Sequence, residues 1–119
     1  REDAFRYFII ADIHHNIVYQ PAERNAHMIS IRQSDELGGL SALDGDLNIN
    51  NNCYYQAGGT ATFEDSRTQV DQGGWTTDWT GGFSAWQSHI SGDTNSHEAD
   101  PMLDSNYKPT NPACSGMGY

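Results

Sequence analysis

The residues predict an all-β chain with one short helix, and three observations carry that prediction. Runs rich in β-branched and aromatic side chains are short and end at turn-forming residues. Only 36% of residues are hydrophobic, while glycine, asparagine, aspartate, serine and threonine are abundant, which favours turns over long helices. A single segment, Phe83 to Ile90, spaces its apolar residues as a helix does. With 119 residues the chain is one domain or part of one, around a thin core.

Taken in order, Phe5 to Tyr19 reads as one or two strands, broken by a bend at His14, His15 and Asn16. Gln20 to Ala26 is a polar loop containing Pro21, and His27 to Gln33 alternates as a third short strand. Ser34 to Ala42, with Gly38 and Gly39, is a loop. Leu43 to Tyr55 is the longest run with the two-residue period of a strand. Leu43, Leu47 and Ile49 point one way, and Asp44, Asp46, Asn48, Asn50 and Asn52 the other. An Asn turned inward here needs hydrogen-bond partners to avoid a desolvation cost of about 1–3 kcal/mol. Asn16-Ile17-Val18-Tyr19 is echoed by Asn52-Cys53-Tyr54-Tyr55 thirty-six positions later.

Residues 56–82 form a Gly/Thr-rich excursion of loops and short strands that carries Phe63, Trp75 and Trp79. Phe83, Trp86 and Ile90 stand at i, i+3 and i+7, so 83–90 reads as a short amphipathic helix stopped by Gly92. Pro101 forbids a central strand in the segment that leads to Met102 and Leu103, and the proline- and glycine-bearing tail from Tyr107 is coil. Three parts follow: strands over 1–55, the excursion over 56–82, and a cap over 83–119.

In this order, the Asn-rich strand ending in a tyrosine pair (Asn50 to Tyr55), Phe83 to Ser88, Asp93 to Ser96, Asp100 to Leu103 and Pro109 to Gly116 resemble the C-terminal end of secreted right-handed parallel β-helix proteins of the pectate-lyase kind. The resemblance covers the latter two-thirds of the chain. It implies stacked coils closed by an irregular cap, with Asn16, Asn51 and Asn52 forming a structural ladder at the turns. Many such proteins are polysaccharide lyases or hydrolases, and others are adhesins or structural surface proteins, so the fold does not choose among them. It also implies that further coils, from upstream sequence or other subunits, stack on an open N-terminal edge. A lyase of this kind needs a basic residue, and Lys108, the one lysine, lies in the tail. Catalytic residues are therefore expected outside this chain.

Sixteen acidic and six basic residues give a formal charge of −10, which argues against nucleic acid and against anionic membranes as partners. Calcium, or a neutral or cationic polymer, is the functional reading of that charge, and a solvated acidic surface is the plain one. No apolar run approaches the ~20 residues of a membrane span. Cys53 and Cys114 are either a single disulfide closing a long loop or two buried thiols, and the low lysine content leans the expectation towards export.

Asp44, Asp46, Asn48 and Asn50 imitate the first ligands of an EF-hand loop, but Ile49 occupies the glycine position and Tyr55 that of the bidentate Glu. This is a weak calcium set, set against a solvated strand face. Adjacent residues of a strand face opposite ways, so His14 and His15 cannot share a metal without a bend. Trp75, Trp79 and Tyr54 are the candidates for stacking on sugar rings, against the alternative that they are packing anchors. Three functions stay open: acting on or binding an extracellular polysaccharide, assembling as an adhesin or filament subunit, and binding calcium or glycan through a β-sandwich.

Overall fold

The computed structural model describes residues 11–31, 47–66 and 79–118. Among these, eight strands and one helix occur: β1 (Ala11–His14), β2 (Ile17–Gln20), β3 (Ile29–Ile31), β4 (Leu47–Asn50), β5 (Cys53–Gln56), β6 (Thr62–Asp65), β7 (Trp79–Gly82), α1 (Phe83–Ile90) and β8 (His97–Glu98). A 3₁₀ turn, Pro112–Cys114, follows in the tail.

The strands form three small sheets, ordered β1-β4, β2-β5-β8 and β3-β6-β7. The first two pairs are parallel, with Ala11 opposite Leu47 and Ile17 opposite Cys53. The thirty-six-residue echo is thus a strand register. β3 and β6 are also parallel, with Ile29 opposite Phe63. Segment 56–82 therefore holds a strand that completes a sheet as well as loops.

The expected right-handed parallel β-helix is not what these sheets make. β7 pairs antiparallel with β6, the eight-residue helix α1 follows directly, and β8 meets β5 over only two residues. A solenoid requires each coil to offer its backbone to the next along its whole length. Here the free edge of β6 is taken by an antiparallel partner, and the result is a small mixed-sheet fold.

Both faces of β5 are covered. Tyr54 points to the main core, where Phe63 stacks on Trp86 at 4.9 Å and meets Tyr54 edge-on at 5.0 Å. Offset or edge-on aromatic pairs of this kind contribute about 0.5–1.5 kcal/mol each beyond their buried area. Met28, Ile31, Ile49 and Ala61 complete that core. Helix α1 covers it through Trp86, its one buried residue, and ends at Ser91 in a left-handed conformation (φ 52°).

Cys53 points to the opposite face of β5, where it is joined to Cys114 by a disulfide with its Cα atoms 5.5 Å apart. Met117, Ile17 and Ala99 pack around it as a second cluster. The bond closes a loop across 61 positions, which constrains the unfolded chain by about 4 kcal/mol in the loop-entropy account. It holds the tail flat against the outer face of the β2-β5-β8 sheet.

Candidate functional site

Both corners that leave the first parallel pair are built alike. His15 and Asn51, thirty-six positions apart, each adopt a left-handed backbone (φ 58°), a region that Asn and His enter more readily than most residues. Each corner hands the chain to an asparagine. Asn52 is fully buried, and its side-chain oxygen accepts from the Asn16 backbone N–H at 2.9 Å and from Asn16 Nδ2 at 3.2 Å. Its own Nδ2 donates to the Ile13 carbonyl at 3.0 Å. Asn51 forms the corner itself and joins this stack through its backbone, its carbonyl accepting from the His15 N–H at 2.9 Å.

The Asn52 stack continues into a buried polar cluster. Ser96 Oγ accepts from the Asn52 backbone N–H at 2.8 Å and donates to Asp93 Oδ1. The other carboxylate oxygen, Oδ2, accepts from Tyr54 Oη at 2.8 Å and from Trp86 Nε1 at 2.9 Å. Asp93 is 1% exposed, so these three donors stand in for water around its charge. Burial, reinforced by the Asp93 carboxylate, pushes the Tyr54 phenol well above its ordinary range. The loop of residues 91–94 is fixed by this cluster.

Between that loop and the β1-β4 pair lies an open cleft of about 460 Å³. Asp12 and His14 alternate along β1 and lie opposite Asn48 and Asn50 of β4, so four polar side chains share one face while Ile13 and Ile49 face the core. Asp12 and His14 are more than half exposed there. Asn50 Oδ1 accepts from the Asn95 N–H at 2.7 Å, which ties the segment after the loop to β4. At the corner the bend brings both histidines together, their Nδ1 atoms 2.8 Å apart and their rings perpendicular. His14 Nε2 faces Asp12 Oδ1 at 3.6 Å.

Several expected site residues stand elsewhere. Tyr54 is completely buried and hydrogen-bonded to Asp93, so it is a core side chain and offers no face to a sugar. Its neighbour Tyr55, beside the exposed Tyr19 with ring centroids 5.8 Å apart, is the outward member of the tyrosine pair. Trp79 lies flat against the His89 ring at 4.1 Å, so one of its faces is occupied. Trp75, Asp44 and Asp46 lie outside the described residues, and of the calcium set only Asn48 and Asn50 are placed. Among the described residues no three His, Cys, Asp or Glu side chains converge on a metal position.

Two histidine–carboxylate pairs escaped the sequence reading. His89 Nε2 meets the buried Asp65 at 2.9 Å, and His27 lies 3.5 Å from the buried Glu64, which also accepts from Ser30 Oγ. Asp65 and Glu64 stand on opposite faces of β6, so the pairs are separate. No local motif marks them, because each forms across parallel or helix–strand contacts between distant residues. The chain matches no known family model, no curated protein and no solved structure.

Proposed function

We propose that this chain is an extracellular binding protein for a neutral or amino-bearing polysaccharide, which it holds in the cleft between β1-β4 and the 91–94 loop. The observation that carries the reading is the array of Asp12, His14, Asn48 and Asn50 on one strand face. Sugar hydroxyls both donate and accept, and this array offers both roles: carboxylate oxygens accept, while amide and imidazole groups do either. Parallel pairing spaces the groups at the regular strand separation, so successive hydroxyls of one extended ligand meet successive side chains. The charge of −10 disfavours acidic polymers and admits neutral or cationic ones. The Cys53–Cys114 disulfide suits an oxidising compartment and supports placement outside the cell.

The test is retention of the 119-residue chain on gels or columns carrying neutral, amino-bearing or uronic-acid polysaccharides. Retention by a neutral or amino-bearing polymer is expected, with Asn48→Ala weakening it about tenfold, the loss of roughly one well-made polar contact. Asn48 is exposed, so its substitution leaves the core intact. Retention by uronic-acid polymers alone, or binding indifferent to Asn48, would overturn the reading.

A further inference from the structure

We propose that His14 and His15 together form a two-nitrogen site for a divalent transition-metal ion, best filled by Cu²⁺. The inference stands on the corner alone and is independent of any glycan in the cleft. In a continuous strand the two imidazoles would diverge. The left-handed backbone at His15 turns its ring back, so the two Nδ1 atoms come within 2.8 Å of one another.

The two rings share one proton across their Nδ1 atoms. His14 Nε2 lies 3.6 Å from the Asp12 carboxylate, beyond hydrogen-bond length but facing it. Across the 2.8 Å gap one Nδ1 carries a proton and the other the lone pair that accepts it. A carboxylate behind the distal nitrogen is the arrangement that orients metal-bound histidines and raises their basicity. When a cation takes the place of the shared proton, the ring that carried it gives up its Nδ1–H to solvent and is reprotonated at Nε2. The ring stays neutral, and two lone pairs face the ion.

The separation also selects the metal. With metal–nitrogen bonds of about 2.0 Å, two nitrogens 2.8 Å apart subtend an angle of about 90° at the ion. That is the cis angle of square-planar and tetragonal coordination, favoured by Cu²⁺ and Ni²⁺, whereas tetrahedral Zn²⁺ needs the nitrogens to open further. The corner is held for this purpose from both sides: the His15 N–H donates to the Asn51 carbonyl at 2.9 Å, and the His15 carbonyl accepts from the Gly118 N–H at 2.7 Å. Solvent completes the coordination, which leaves the site open on one side.

The experiment titrates the full chain with CuCl₂, NiCl₂ or ZnCl₂ alone, followed by calorimetry and, for copper, by electron paramagnetic resonance. One equivalent of Cu²⁺ with nitrogen hyperfine structure is expected, with affinity falling in the order Cu²⁺, Ni²⁺, Zn²⁺. His15→Asn keeps a residue suited to the left-handed corner, as Asn51 does at the equivalent position, and is expected to weaken Cu²⁺ binding at least tenfold. His14→Gln gives the same loss. Asp12→Asn gives a loss of about tenfold through the orientation of His14. Unchanged circular dichroism of His15→Asn shows that the corner has survived. Copper affinity that is the same in the wild type, His15→Asn and His14→Gln would overturn the proposal, as would stronger binding of Zn²⁺ than of Cu²⁺.

Discussion

Replacing Asp93 with alanine removes the acceptor that three buried groups share, and the structure lets the cost be worked through. Tyr54 Oη and Ser96 Oγ still accept from Asn52 Nδ2 at 3.3 Å and from the Asn52 N–H, but their own O–H groups lose the acceptor they donate to. Trp86 Nε1 keeps none among the described residues, and a buried donor left bare costs about 1–3 kcal/mol. Two further hydrogen bonds to a charged group are lost, and alanine at φ 58° adds about 1 kcal/mol of backbone strain. With about 1.5 kcal/mol for each of those bonds the sum is about 6 kcal/mol, a large share of the 5–15 kcal/mol typical of a domain. Asp93→Asn retains an acceptor oxygen and tolerates the backbone, so its cost is about 1–2 kcal/mol. Urea unfolding followed by tryptophan fluorescence measures both variants. A loss within about 1 kcal/mol of wild type for Asp93→Ala, or equal losses for the two, would refute the account of the cluster.

Two further predictions concern the same region and the tail. Tyr54 ionises far less readily when folded than its ordinary value near 10, so folding disfavours its anion. Its share of stability is complete below that value and is lost as pH rises above it, so the chain unfolds more easily in urea at pH 11 than at pH 8. Tyr54→Phe should flatten that alkaline decline, and ultraviolet titration of the native chain should leave one tyrosine un-ionised. Gly118 has φ +82°, and a Cβ there would sit 2.8 Å from Ile17 Cδ1. Gly118→Ala is expected to cost roughly 1–3 kcal/mol and to speed hydrogen exchange at the amide of residue 118, and an unchanged melting temperature would count against the tail's close fit.

Much of the local structure was legible because short-range chemistry decides it. The i, i+3, i+7 spacing of Phe83, Trp86 and Ile90 marks a helix with the observed bounds, and His14 to Asn16 marks the bend between β1 and β2. The echo of Asn16-Ile17 in Asn52-Cys53 is a genuine parallel register. The global arrangement was misread because that register does not continue. Trp79 to Gly82 lies in the expected excursion of loops and short strands, where Gly81 leaves room for the Trp79 ring, whose nearest atom would lie 2.7 Å from a Cβ there. That permits an antiparallel partner for β6, which no two-residue period announces. The site was harder still. Strand periodicity separates His14 from His15, and only a left-handed corner, invisible in residue types alone, unites them.

The hydrogen bond from Gly118 to His15 makes the end of the chain part of the corner it touches. Cys114 anchors that end to β5 four residues earlier, so one covalent bond and one amide tether a distant segment to the imidazole pair. A thiol reductant that freed Cys114 would slacken the tether without touching either histidine. The grip of the corner on its two rings would then report the oxidation state of a sulfur four residues along the tail.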